Sequence, residues 1–156
     1  MSTENGLKSR IQADINDAVR AGDDLLKSTL RMALAAIMNA EVAGAEAVVL
    51  SDDQIINLLR SEVKKRAESA DIYEQAGRAE SAATERKEMV IIEKYLPAAM
   101  DEAALAAIVA EEVANAAANG QTGPKAMGGV IKAVKERVGA SADGSAIAAA
   151  VKSALN

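Results

Sequence analysis

The chain of 156 residues contains no cysteine, histidine, tryptophan or phenylalanine, and its only aromatic residues are Tyr73 and Tyr95. Without cysteine there can be no disulfide, thiolate nucleophile or soft metal site. Without histidine there can be no imidazole base and no ordinary zinc site, so any bound metal would be a hard ion with oxygen ligands, such as Mg²⁺. We therefore expect no cofactor, and a core built from Ala, Leu, Ile, Val and Met.

Long apolar runs are also missing. No run approaches the roughly 20 residues that a membrane-spanning helix needs, and the first ten residues are polar, unlike a signal peptide. Together with the lack of disulfides, these features predict a cytoplasmic protein with no membrane partner.

Charge is unevenly distributed along the chain. The net charge of −5 argues mildly against bulk nucleic-acid binding, with −4 in residues 1–96 and −1 in residues 97–156. The segment from Pro124 to Arg137 is nevertheless locally basic, with a net charge of +3. Its cations are Lys125, Lys132, Lys135 and Arg137.

The stretch Glu93-Lys94-Tyr95-Leu96-Pro97 separates two parts of different character. Its proline cannot donate to a helix ladder and moves the preceding residue out of the helical region. We predict an all-α fold with two helical subdomains, a four-helix N-terminal part over residues 1–96 and a three-helix C-terminal tail over residues 97–156. The most apolar run, Met89–Ile92, covers every side of one helical turn and is therefore expected to be buried all round.

Apolar residues recur at helical spacing in seven segments. The predicted helices cover about Asn5–Arg20, Asp23–Ala43, the residues from the Ser51 capping box to Gln75, Arg78–Tyr95, Asp101–Ala118, Pro124–Val138, and a last helix that starts at Asp143 or Ser145. Ser51 followed by Gln54 at the third position is a strong start signal. Val19 and Met38 belong to the stripes expected to face inward.

Paired carboxylates are explained without catalysis. Asp23-Asp24 and Asp52-Asp53 lie at predicted helix starts, where capping accounts for them. Glu111 and Glu112 are neighbours in a helix and do not face each other. A Ser61–lysine arrangement is unspecific, so we predict no catalytic residue.

The run Lys64-Lys65-Arg66 lies among acidic residues. A solvated helix face with salt bridges at three- and four-residue spacing is favoured over a binding patch. Lys64, Arg66 and Arg78 are kept as secondary candidates for binding a nucleic acid or a partner. Tyr73 and Tyr95 could stack on bases, but half-burial with the hydroxyl at the rim is the favoured interpretation.

Gly128-Gly129 is unusual inside a strongly helical segment, because each glycine costs about 1 kcal/mol relative to alanine. Close helix packing, or a helix that starts only at Val130, would explain the pair structurally, and spacing alone favours these explanations. The functional alternative is an anion site at a helix start, with Lys125 and Lys132 beside it.

Several short motifs occur in a specific order across nearly the whole chain. They are Leu30-Arg31-Met32, Asn39-Ala40-Glu41, Leu50-Ser51-Asp52-Asp53, Glu62-Val63-Lys64-Lys65-Arg66, Tyr73-Glu74-Gln75-Ala76-Gly77-Arg78, Glu93-Lys94-Tyr95-Leu96-Pro97, Met127-Gly128 with Val130, and Gly139 followed by Ala142-Asp143-Gly144. In this order the sequence resembles the YqeY family, relatives of the C-terminal tail of the B subunit of the glutamine-dependent tRNA amidotransferase.

The resemblance implies two all-α subdomains and a tail that engages tRNA, since the related tail does so in the amidotransferase, whose catalytic cradle lies elsewhere. If the tail binds tRNA in this way, we expect its locally basic segment and glycine pair, Lys125, Gly128, Gly129, Lys132 and Lys135, to approach the phosphates. The family often has an acidic residue before the Met and a Lys after the Gly, where this chain has Ala126 and Gly129. A contact made by that Lys would be lost or moved to Lys125 or Lys132.

We therefore predict a non-catalytic accessory protein that binds tRNA, or a protein partner in tRNA charging or amidation, through the tail. One alternative is a protein-interaction module that does not bind nucleic acid. Another is participation in glutamine-dependent carbon–nitrogen ligase activity, which only the family association suggests.

Overall fold

In the computed structural model, residues 6–156 are described, and the regular structure of that range is entirely helical. The all-α prediction is confirmed. The predicted first residue of the first helix, Asn5, lies outside the described residues.

Seven α-helices form within residues 6–156. They are α1 (Leu7–Ala21), α2 (Asp24–Glu41), α3 (Asp52–Gln75), α4 (Ala79–Glu93), α5 (Glu102–Ala118), α6 (Met127–Val138) and α7 (Gly144–Leu155). The chain divides into a first unit that ends at Leu96 and a second unit, Pro97–Asn156. Helices α1 to α4 belong to the first unit, and α5 to α7 belong to the second.

Local capping explains where most of these helices start. The Asp23 carboxylate accepts a hydrogen bond from the Leu26 N–H, and Ser51 forms a reciprocal capping box with Gln54, as predicted. Helix α1 has no cap of its own, and the N–H of Leu7 instead donates to Asp52 at 3.0 Å. The carboxylate of Asp52, at the start of α3, therefore provides a hydrogen-bond acceptor for a backbone N–H at the start of α1.

Each unit has its own apolar core. The core of the first unit combines buried side chains of α1 to α4, and these are Ile11, Ile15, Leu30, Ala33, Ile37, Ile55, Leu59, Ile92 and Tyr95. The core of the second unit has fewer large side chains, and its largest members are Leu105, Val109, Val130, Val134, Val138, Ile147 and Val151. Both cores lack phenylalanine and tryptophan, as the composition requires.

The apolar run at the end of α4 is not buried all round, and this prediction was wrong. Ile92 is 1% exposed, whereas Val90 is 54% exposed. Residues two apart in a helix point roughly 160° away from each other, and the helices packed on α4 cover the Ile92 side only. Val19 and Met38 are also exposed rather than facing inward.

The segment before α6 differs from its prediction. Gly123–Ala126 forms a short 3₁₀ turn, and the α-helix begins at Met127 rather than at Pro124. The Met127 N–H donates to the Pro124 carbonyl, a bond of the tighter i→i+3 type. Pro124 thus lies at the start of the turn, where its missing N–H costs little.

Tyr95 is buried rather than half-buried, and its hydroxyl meets a polar group inside the first unit. Its hydroxyl donates to the Asp14 carboxylate of α1, and the Arg10 guanidinium lies 4.9 Å from the centre of its ring. Burial, and then the hydrogen bond to Asp14 and the charge of its carboxylate, raise the pKa of the Tyr95 hydroxyl above its ordinary value. The motif that ends at Pro97 therefore ties the end of α4 to α1.

This raised pKa predicts an alkaline loss of stability. The folded state holds the Tyr95 proton more tightly than the unfolded state, so the contribution is complete below about pH 10 and is lost as the pH rises above it. We expect Tyr95→Phe to cost about 1–2 kcal/mol at pH 7 and to remove this part of the alkaline loss. Urea unfolding at pH 7 and pH 11 measures both effects. Tyr73→Phe is the control, and an unchanged alkaline loss in Tyr95→Phe would contradict the assignment.

Candidate functional site

The five predicted tail residues share the exposed side of α6 and of the turn before it. Lys125, Gly128, Gly129, Lys132 and Lys135 are all exposed. Residues at spacings of three, four and seven share one face of a helix, which explains why they come together. The opposite face carries the buried side chains, and these are Ala126, Val130, Val134 and Val138.

The two glycines are not needed for packing. A Cβ on Gly128 would meet nothing within 4 Å, and one on Gly129 would have Gln121 Oε1 as its nearest neighbour at 3.7 Å, an ordinary contact. The helix also begins at Met127, before both glycines. Both structural explanations for the pair are therefore wrong, and the bare backbone of this turn is open to solvent.

Arg137 does not add to the positive charge of this face. Its guanidinium lies 2.7 Å from Glu111 and 3.0 Å from Glu112 of α5, and hydrogen bonds to these two carboxylates raise the pKa of Arg137. The adjacent glutamates thus hold α5 against the end of α6, a role that their spacing in the sequence did not indicate. The positive charge of the exposed face comes from the three lysines, with Glu136 beside them.

Arg66 lies at the α3–α4 interface. Its side chain is 12% exposed and lies 3.0 Å from Glu88 and 3.6 Å from Glu85 of α4. Burial raises the pKa of Glu88, while the charge of Arg66 opposes that rise. Lys65 pairs with Glu62 at 3.0 Å, so salt bridges account for both residues.

The other two secondary candidates also belong to the first unit. Lys64 is exposed on α3. Arg78 is exposed, and its guanidinium lies 5.0 Å from the centre of the Tyr73 ring, a cation–π contact across the turn between α3 and α4.

Glu41 is a buried acid whose role the sequence did not predict. Its carboxylate lies 2.5 Å from the Lys8 ammonium and accepts a hydrogen bond from the Leu50 N–H at 3.3 Å. Its backbone carbonyl accepts from the Val48 N–H at 2.9 Å. The hydrogen bond from Lys8 lowers the pKa of Glu41. This residue therefore closes the loop between α2 and α3, and no local pattern links it to Lys8.

Two negative findings apply to residues 6–156. No helix in that range is long and apolar enough to cross a membrane. Nor does the same range contain a group of three or more acidic side chains placed to hold a metal ion.

Fold and site together define a small all-α protein whose candidate site is an exposed helix face. The model of the family described as Yqey-like protein matches residues 8–155. The chain therefore belongs to the YqeY family, as its motifs suggested.

One curated relative is a protein of Clavispora lusitaniae named "Altered inheritance of mitochondria protein 41, mitochondrial". It is 34% identical to this chain over 99 residues, which are 62% of this chain and 56% of the relative. The matched stretch thus spans just over half of the length of that protein.

Proposed function

We propose that this protein is a non-catalytic accessory protein that binds tRNA through the exposed face of α6. The observation that carries the proposal is the combination of three exposed lysines with two glycines that no packing contact requires. Bare backbone lets a ligand approach a helix closely, and lysine ammonium groups attract phosphates.

The two positions that depart from the family pattern, Ala126 and Gly129, are compatible with phosphate binding by this face. Ala126 is buried in the core of the second unit, so it takes no part in the exposed surface. Gly129 is exposed where the family often has a lysine. In our proposal, the phosphate contact that such a lysine would make is made by Lys125 or Lys132 instead.

Salt dependence tests the proposal. If the three lysines each neutralise one phosphate, the logarithm of the association constant falls with the logarithm of salt concentration with a slope of about −2 to −3. We expect the triple change of Lys125, Lys132 and Lys135 to Glu to weaken binding of labelled total tRNA at least about tenfold and to flatten this slope. Fluorescence anisotropy at two or more salt concentrations measures both.

The control carries the same charge change on the first unit. Lys65, Lys87 and Lys94 changed to Glu alters the net charge equally but leaves the α6 face intact, so tRNA affinity should stay close to that of the unaltered chain. Equal binding by the two triple variants would overturn the proposal. Circular dichroism of both variants checks that the helices are retained.

The variant Gly128→Ala should change the stability of the second unit and the affinity for tRNA in opposite directions. Gly128 has no positive backbone φ and a Cβ there meets nothing, so alanine should stabilise the second unit by about 0.5–1 kcal/mol. If phosphates approach the bare backbone, the same variant should bind tRNA more weakly. Thermal unfolding and the anisotropy titration give the two values, and a more stable variant with unchanged affinity would exclude the glycine contact.

A protein-interaction module is the second candidate function. It is favoured by the large aliphatic side chains that the first unit leaves exposed, among them Val42 and Val90, and by the acidic net charge of the chain. Binding to an amidotransferase-related protein would be one form of this function. Carbon–nitrogen ligase activity stays a prediction that rests on the family association alone.

The compartment also stays a proposal. Composition favours the cytoplasm, whereas the relative from Clavispora lusitaniae is named as mitochondrial. A fluorescent protein fused to the C-terminus would distinguish the two locations in the native cell.

A further inference from the structure

A groove of about 240 Å³ lies between α3 and α4 on the first unit. Its lining residues from α4 include Met89 and Val90, and those from α3 include Ala67 and Ala70. We propose that this groove docks a cationic amphipathic helix of a partner protein. The proposal is independent of tRNA binding, because every residue that it uses belongs to the first unit.

The apolar part of the groove comes from the most apolar run of the sequence. Val90 is 54% exposed and Met89 is partly exposed. On the α3 side Ala70 is 1% exposed and Ala67 is partly exposed, so a partner helix would meet mainly the single methyl group of Ala67, which lets its axis come close. A partner side chain placed between these residues would bury apolar surface on both sides.

The size and shape of the groove favour a helix over a small molecule. Its volume is below the roughly 300–1,000 Å³ of typical small-molecule pockets. The lining residues lie three or four positions apart on both α3 and α4, the spacing at which a helix laid in the groove presents its own side chains. Grooves between two helices commonly receive the apolar face of a third helix, through anchors three or four residues apart.

The charges of the rim select the partner. Asp71 and Glu93 line the groove with Arg86, and Arg86 is already ion-paired with Glu74 of α3 and lies 3.9 Å from Asp71. The rim therefore has an excess of negative charge, which a helix with lysine or arginine beside its apolar face would complement.

The same charges disfavour a second copy of this chain. In a symmetric dimer through this groove, the same patch faces itself. Asp71 and Glu93 of one copy would then approach those of the other, and like charges at an interface oppose association.

Two synthetic helical peptides with the same leucine face test the proposal on the full chain. One has lysine on its polar face and the other has glutamate. We expect the lysine peptide to bind and the glutamate peptide to bind at least about tenfold more weakly, because its charges repel those of the rim. In ¹⁵N-labelled protein, the amide shifts caused by the lysine peptide should centre on residues 67–71 and 86–93.

Paired variants separate the groove from general attraction to an acidic protein. Val90→Gln should weaken binding of the lysine peptide about tenfold, whereas Ile72→Gln should leave it unchanged. Ile72 is a suitable control because it is 64% exposed on α3 and does not line the groove. Asp71→Asn with Glu93→Gln should weaken binding and reduce its salt dependence.

Three results would overturn the proposal. The first is equal binding of both peptides, and the second is an equal effect of the Val90 and Ile72 variants. The third is a concentration-dependent dimer in sedimentation equilibrium that Val90→Gln abolishes, which would make a second copy the occupant of the groove.

Discussion

Replacing Ile92 with alanine is expected to lower the free energy of unfolding of the first unit by about 2–5 kcal/mol. Ile92 is 1% exposed and belongs to the core cluster formed with α1, α2 and α3. The substitution removes buried methyl and methylene groups and leaves a cavity that neighbouring helices can fill only in part. Denaturant unfolding followed by circular dichroism at 222 nm measures the change.

Val90→Ala is the matched control in the same apolar run. Its side chain is more than half exposed, so little burial is lost, and alanine is the better helix former. We expect a change within about 0.5 kcal/mol. Similar losses for Ile92→Ala and Val90→Ala would show that the turn is buried on both sides, contrary to the structure.

Arg66→Ala is expected to cost about 2–4 kcal/mol at pH 7. Removal of one partner from a largely buried ion pair leaves the remaining charges without compensation, and such changes cost about 3–5 kcal/mol when burial is complete. Here Glu85 and Glu88 would be left together at the α3–α4 interface. Lys65→Ala is the control, because its pair with Glu62 is exposed on the lysine side and such pairs contribute about 0–1 kcal/mol.

The stability lost in Arg66→Ala is expected to depend on pH through the pKa of Glu88. Burial already holds the pKa of Glu88 above its ordinary value, and the charge of Arg66 opposes that rise, so the pKa should be higher still in Arg66→Ala. A carboxyl whose pKa is raised on folding binds its proton more tightly in the folded state, so it stabilises the fold as the pH falls and destabilises it at neutral pH.

The deficit of Arg66→Ala should therefore shrink between pH 7 and about pH 4.5. Unfolding of the variant and the unaltered chain at the two pH values measures it. A deficit that is the same at both would mean that lost packing of the arginine stem, rather than uncompensated charge, causes the destabilisation.

Many residues that carry the family resemblance in the first unit serve contacts within it. Asp52 completes the start of α1, Glu41 closes the loop between α2 and α3, Arg66 joins α3 to α4, and Tyr95 joins α4 to α1. These contacts give a structural role to each of these four residues. The surfaces proposed to bind partners are separate from these contacts. They are the exposed lysines and glycines of the α6 face and the apolar groove between α3 and α4.

Local rules in the sequence determined the helices of this protein. Capping side chains such as Asp23 and Ser51, and apolar residues at helical spacing, act within a few neighbouring positions. Gly22, which ends α1, acts equally locally because its positive φ of 68° suits glycine. These effects can be predicted without knowledge of the fold. The same spacing also places the candidate glycines and lysines of α6, together with Lys125 in the turn before it, on one face.

Only the tertiary structure decided which side of each helix is covered and which charges meet. Val90 and Ile92 are equally apolar, yet one is exposed and the other buried, because neighbouring helices pack on one side of α4. Arg66 and Arg137 find carboxylates on other helices, and Glu41 finds an ammonium 33 residues away. Burial and ion pairing depend on distances between segments remote in sequence, and a periodic pattern carries no information about those distances.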